Sequence, residues 1–274
     1  MRYNQCMKGF LACVVFLAIP TWSAAQTLPL FDAHIHYNSD AWERLSPRAV
    51  IRLLDDAGIE GALVSSTPDD GTLRLFEAAP ERIVPELRPY RTPADVSTWH
   101  RDPSIVPYLE QRLRKGVYKG IGEFHLHGAQ ARSPIVQRVV ELAAAGNLVL
   151  HAHSDPAAVE ALFAINPRIR VLWAHAGMDA AIEDVARLLE KHDTLWLEIS
   201  YRNDLLGEGR LDAAWKALML RHPDRILYGT DTWTPSRFDE IGRQAKAARA
   251  WLRELPDDVA ARIAYRNGAA LFGR

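Results

Sequence analysis

A chain of 274 residues that is 48% hydrophobic and 24% charged has enough apolar material for a sizeable core, which excludes wholesale disorder. Its formal net charge of −1 gives nucleic acid and anionic membranes no bulk electrostatic hold. Residues 1–25 carry the pattern of an export signal: Arg2 and Lys8 precede an apolar run from Phe10 to Ile19, followed by Pro20 and the small-residue site Ser23-Ala24-Ala25. Cleavage after Ala25 leaves 249 residues with formal charge −3, suited to a single periplasmic or secreted domain over 26–274. The apolar run is about ten residues, too short to span a bilayer, so no membrane association is expected after cleavage. Both cysteines, Cys6 and Cys13, lie in the signal, which removes disulfides, thiolate metal sites and cysteine nucleophiles from the mature chain.

From Leu28 onward, short apolar runs alternate with amphipathic stretches, the signature of consecutive βα units. The first strand is predicted over Pro29 to His34, with a helix over Pro47 to Ala57, and the second over Gly61 to Ser65. A third strand over Ile83 to Pro89 runs into an irregular stretch, Arg88 to Pro107, that reads as a long loop. The fourth and fifth strands, Gly120 to His125 and Leu148 to His151, are followed by helices over Pro134 to Ala145 and Pro156 to Ile165. Strands over Ile169 to Ala174, Leu195 to Ser200 and Arg225 to Gly229 complete the series, with helices over Ala180 to His192 and Leu211 to Arg221 between them. Ser46-Pro47, Ser133-Pro134 and Asp155-Pro156 each offer a capping oxygen followed by proline at the first helical position. Eight units in 249 residues give about 31 residues each, close to the ~30 that a βα crossover needs. The count points to an α/β fold, a single-domain (β/α)₈ TIM barrel, although an open doubly wound sheet produces the same alternation.

Seven of the ten histidines fall at the C-terminal ends of predicted strands: His34 and His36, His125 and His127, His151 and His153, and His175. A parallel α/β sheet builds its active site at that edge, and Asp231 follows the last strand in Gly229-Thr230-Asp231. Residues two apart share a strand face, so His34 and His36 can enter one mouth together, as can Glu123, His125 and His127, or His151 and His153. Imidazole and carboxylate without thiolate suit Zn²⁺, Mn²⁺, Fe²⁺ or Ni²⁺. A single His-x-His is weak evidence, whereas the ordered series along the chain points to a divalent-metal site.

Phe31-Asp32-Ala33-His34-Ile35-His36, Trp173-Ala174-His175-Ala176-Gly177 and Arg225-Ile226-Leu227-Tyr228-Gly229-Thr230-Asp231 resemble the amidohydrolase superfamily, in its amidohydrolase-related (amidohydrolase 2) branch. Leu255-Pro256-Asp257-Asp258, continuing through Arg262-Ile263 to Asn267-Gly268-Ala269-Ala270-Leu271-Phe272, is similar to that branch's closing helix. The resemblance implies a distorted barrel holding one or two divalent metals, zinc first among them. It implies metal ligation by His34, His36, His151, His175 and Asp231, with Asp231 also the proton carrier. His151 is preferred to His153 because Val149-Leu150-His151-Ala152 matches the branch's register. Where many members bridge two metals with a carboxylated lysine, Gly120-Ile121-Gly122-Glu123 resembles the relatives that use glutamate, such as the TatD-like group. Glu123 then either bridges two metals or orients a ligand histidine.

Hydrolysis of an amide, ester, lactone or phosphoester by metal-activated water is the reading these residues favour, with Asp231 and His175 as the catalytic pair. His127, His153, Tyr201, Arg202 and Trp233, with Tyr90 and Arg91, are the candidates for contact with a small-molecule substrate, and an arginine pair would suit an anionic group. Non-oxidative decarboxylation of an aromatic or unsaturated acid is the enzymatic alternative; a non-catalytic exported metal- or ligand-binding barrel is the other. His100, His192 and His222 fall in loop or helix-end positions without a role.

Overall fold

The computed structural model describes residues 27–274, and the export-signal reading falls outside the described residues. Eight parallel strands follow one another round the sheet in chain order: β1 (Leu30–Ile35), β2 (Ile59–Val64), β3 (Ile83–Leu87), β4 (Gly120–Leu126), β5 (Val149–Ser154), β6 (Arg170–Trp173), β7 (Leu195–Glu198) and an eighth strand, Ile226–Leu227. A doubly wound sheet would reverse its order at a switch point, and here no reversal occurs. The first and eighth strands meet through Ala33 N–H donating to the Tyr228 carbonyl at 2.9 Å and His36 N–H donating to that of Thr232 at 2.8 Å. The result is a nearly closed barrel with helices between its strands, as in a TIM barrel.

Local chemistry explains the helix starts. Ser46 accepts from Ala49 N–H, Ser133 from Ile135 and Val136, and Asp155 from Ala158, fixing the helices Pro47–Ala57, Pro134–Ala145 and Pro156–Ile165 at the predicted prolines. The first of them stops at Gly58, whose left-handed φ of 64° lets its N–H turn back onto the last carbonyls. The stretch after β3 is less irregular than predicted: it holds 3₁₀ turns at Pro93–Ser97 and Trp99–Arg101, and the helix Ile105–Leu113 begins inside it. The helix predicted from Leu211 starts instead at Ala213, because Leu211 pairs with Leu206 in a small hairpin beyond β7.

The barrel interior is filled at its lower end by Phe31, Ala33, Leu63, Val84, Val149, Leu172 and Leu227, drawn from six strands, and closed by Leu271 and Phe272 of the C-terminal helix Asn267–Phe272. Phe31 stacks on Phe272 with centroids 6.0 Å apart. Gly268 makes that approach possible, since a Cβ there would lie 2.3 Å from the Phe31 ring. Phe31 and Ala33 share this lower cluster, so strict alternation would turn His34 and His36 away from it. Between Asp32 and Ile35, however, β1 carries one residue more than its partner β2. The bulge resets the alternation, placing the two histidines above the apolar plug.

Candidate metal centre

The C-terminal ends of β1, β4, β5 and β6, with the segment after the eighth strand, converge on one cavity of about 650 Å³. At its floor His34 Nε2 and His36 Nε2 stand 3.0 Å apart. Their other nitrogens fix the tautomers. His36 Nδ1 donates to the Ser65 carbonyl at 2.7 Å, and His34 Nδ1 lies 2.9 Å from Glu198 Oε2. With both protons on Nδ1, two Nε2 lone pairs point at each other, alongside Glu123 Oε2 at 3.5 and 3.2 Å and Asp231 Oδ1 at 3.4 and 3.3 Å. In that tautomer the set fits a divalent cation, with the backing carboxylate and carbonyl that imidazole ligands ordinarily have; with no ion, the surrounding carboxylates favour a proton on His34.

Glu123 faces two ways. Its Oε1 lies 3.1 Å from His153 Nδ1 and 3.5 Å from His175 Nε2, opposite the oxygen that faces His34 and His36. Asp231 spans the same division, with Oδ2 4.0 Å from His175 Nε2. Arg88 steadies Glu123 from behind, its Nε donating to the Glu123 carbonyl and its Nη2 to Oε2, both at 3.0 Å.

Burial works against charge at every one of these groups, and the cluster overrides it. Glu123 is held well below the ordinary carboxylate range by the charge of His34 and by bonds from His153, His175 and His34; Asp231 is lowered by His34 and His36. His34 is raised well above the usual histidine value by the charges of Asp231 and Glu123. Glu198, fully buried, is drawn down to about 2 by the bond and charge of His34. His125 goes the other way: burial lowers it to about 4. Asp32 is pushed up to about 7 by burial, while Thr230 N–H and Oγ1 donate to it at 2.9 and 2.7 Å.

Backbone conformation aims the later ligands. His175, Tyr201 and Asp231 all have positive φ, at 56°, 55° and 44°, a strained arrangement for residues with a Cβ that persists because neighbours hold it. Arg237 donates to the carbonyls of Asp231 and Thr230 at 2.9 and 2.8 Å, and Ser200 Oγ lies 2.9 Å from His175 Nδ1.

Most of the residues named from sequence meet here: His34, His36, Glu123, His153, His175 and Asp231 share the floor, with Tyr201 and Trp233 on the cavity wall. Two do not take the expected places, and a third stands apart from Glu123. His151 is fully buried with its ring against His34; its Nδ1 lies 3.0 Å from Glu86 Oε2, its Nε2 has no hydrogen-bond partner, and it groups with His34 and Glu198. His127 sits beyond the end of β4 with its side chain 70% exposed, near Asp155. Arg202 turns into the protein, pairing with Asp204 and donating to the carbonyls of Ala176 and Ala180. Three further residues escaped the sequence reading of the site: Glu86, Glu198 and Arg88, all buried polar groups. His125, named there at the end of the fourth strand, stacks on His153 with centroids 4.3 Å apart. The signal was present for the first two, since an acid inside an otherwise apolar strand is rarely buried without a partner.

Fold and site together define a metal-dependent hydrolase built on a TIM-type barrel. The chain belongs to the amidohydrolase family, whose sequence profile matches residues 34–274. No curated protein matches it. Among solved structures, it is similar to a probable 2-pyrone-4,6-dicarboxylic acid hydrolase from Acinetobacter baumannii with citric acid bound, at 15% identity and a TM-score of 0.60 over 89% of this chain and 99% of that one. A TatD homologue from Escherichia coli matches at 14% and 0.63, over 89% of this chain and 98% of that one. An amidohydrolase from Burkholderia multivorans with bound zinc matches at 14% and 0.58, over 89% and 99%. At these identities the likeness is one of fold.

Proposed function

We propose that this chain hydrolyses an ester, lactone, amide or phosphoester of a small molecule at a two-metal centre in which Glu123 is shared. The observation that carries the reading is the division of Glu123's oxygens between His34 with His36 and His153 with His175, with Asp231 reaching across both. In it, His153 takes the fifth-strand ligand position expected of His151, because His153 groups with Glu123 whereas His151 groups with His34 and Glu198. Zinc is the ion proposed, supported by the all-imidazole and carboxylate donor set and by the zinc bound in the Burkholderia relative.

A metal ion held by these residues would supply an acidified water and polarise the substrate oxygen. Asp231, at the cavity wall with its carboxyl held ionised, accepts the proton of the attacking water and returns it to the leaving group. Glu198 and Ser65 keep the first two histidines in the tautomer that leaves Nε2 free, and Arg237 keeps Asp231 turned inward. The same reading places the protein outside the cytoplasm, through the signal at residues 1–25; a reporter fused behind Ala25 and recovered from the periplasm or medium is the check.

The test is Asp231→Asn in zinc-loaded protein, assayed on a panel of esters, lactones, amides and phosphoesters. Loss of a proton carrier lowers kcat by on the order of 10²–10⁴. Metal content stays near that of the parent. Undiminished turnover in the variant, or carbon dioxide release in place of hydrolysis, overturns the proposal.

A further inference from the structure

The cationic side chains near the mouth are already engaged. Arg91 is tied to Asp95, Asp102 and Ser104, Arg202 to Asp204, and Arg237 to the carbonyls of Thr230 and Asp231. Arg88 lines the cavity, but at its floor, and its charge is matched by Glu123 Oε2 at 3.0 Å. Among the described residues no other arginine or lysine lines it.

The outer wall is of a different character. Val96, Met178, Tyr201 and Trp233 line the cavity together with the uncharged Asn38, Ser39 and Thr67 and the exposed Asp40. Tyr201 and Trp233 are 39% and 48% exposed, two of the four large hydrophobic side chains most open to solvent among the described residues. They are neighbours, the Trp233 indole N–H lying 3.3 Å from the Tyr201 hydroxyl. Arg237 stacks under the Tyr201 ring at 4.6 Å and holds it in place. Large aromatic surface left open beside a polar floor is the pattern of a wall that awaits an apolar ligand.

We infer that the substrate carries an uncharged aromatic or comparably apolar group, which rests on Tyr201, Trp233 and Met178 while the scissile bond lies over Glu123 and Asp231, and that the same group bearing an anion is rejected. The inference rests on the hydrolytic reading and narrows its substrate. A carboxylate on that group would lose water in a cavity whose one lining cation among the described residues, Arg88, is already paired with Glu123. The sequence expectation that an arginine pair receives an anion is therefore reversed, since Arg91 and Arg202 both have carboxylate partners within the protein.

Hydroxamates anchor on a metal whatever their tail, so they separate the tail from the chemistry. Acetohydroxamate, benzohydroxamate and 4-carboxybenzohydroxamate are titrated calorimetrically into zinc-loaded protein. Benzohydroxamate is expected to bind at least about tenfold tighter than either of the others, through apolar burial in one comparison and unrelieved desolvation in the other. Trp233→Ala and Tyr201→Ala are each expected to shrink the gap between benzohydroxamate and acetohydroxamate severalfold. Equal or tighter binding of the 4-carboxy compound overturns the inference and leaves the metal reading standing, as does a gap that neither substitution alters. Binding of none of the three removes the metal reading, and this inference with it.

Discussion

In the proposed two-metal centre the two fifth-strand histidines have different jobs. His153 Nδ1 is 3.1 Å from Glu123 Oε1, on the side away from His34 and His36, so removing it strips one half of the centre. His151 Nδ1 is held by Glu86, and its ring packs 4.5 Å from that of His34, centroid to centroid. In that proposal its effect on the metal is indirect, through the packing of a ligand. His153→Ala is expected to bring zinc from about two per chain to about one, while His151→Asn, which keeps a donor for Glu86, stays near two and loses stability instead. Elemental analysis of the purified variants decides. A His151→Asn protein depleted of zinc beside a fully loaded His153→Ala would restore His151 to the ligand set.

The segment after β3 shows how an element that looks irregular is fixed by charge. Arg91 Nη2 lies 2.9 Å from Asp95 Oδ1 and 2.6 Å from Asp102 Oδ2, and Asp95 also accepts from the N–H groups of Arg91 and Thr92. The Arg91 bond and these amides hold Asp95 below the ordinary aspartate value despite its burial. A lowered folded-state pKa stabilises the protein above the unfolded value, near 4, and that stability disappears as pH falls through the folded value. Asp95→Asn is accordingly expected to melt a few degrees below the parent at pH 7, with the difference narrowing as pH falls below about 4. A difference that stays constant through that fall would refute the assignment. None of this network was legible in Arg88 to Pro107, because ion pairs between nearby residues leave no periodicity. What was legible is what local chemistry decides, such as the proline-capped helix starts at Pro47, Pro134 and Pro156. The His-x-His pairs showed which strand ends matter. Which member faces the cavity depends on bulges in β1 and β4 and on partners such as Glu86, more than sixty residues away from His151. Arg202 looked like a mouth residue for the same reason: its position was right, and Asp204 with two carbonyls turned it inward.

Across the whole molecule, the barrel is thinnest where its first and last strands meet. The eighth strand is two residues long, and the seam is made by backbone bonds from Ala33 and His36, reinforced by Asp32 accepting from Thr230. The proposed ligands straddle that seam, with His34 and His36 on one side and Asp231 on the other, so a bound ion ties together edges that are nearly two hundred residues apart in the chain. Without it, the seam must hold two ionised carboxylates, Glu123 and Asp231, with a proton on His34 as their counter-charge. An ion present at a hundred times its dissociation constant stabilises the native state by about 2.7 kcal/mol, which for a domain of this size raises the melting temperature by roughly 5–10 °C. Chelation should lower the melting temperature by that amount. It should also speed hydrogen exchange at the amides of Ala33, His36 and Thr230 while leaving those of β2 and β3, which supply no proposed ligand, protected. Exchange that rises equally in all strands would mean that the ion supports the barrel generally and not its seam, and an unchanged melting temperature would mean that these residues hold no ion.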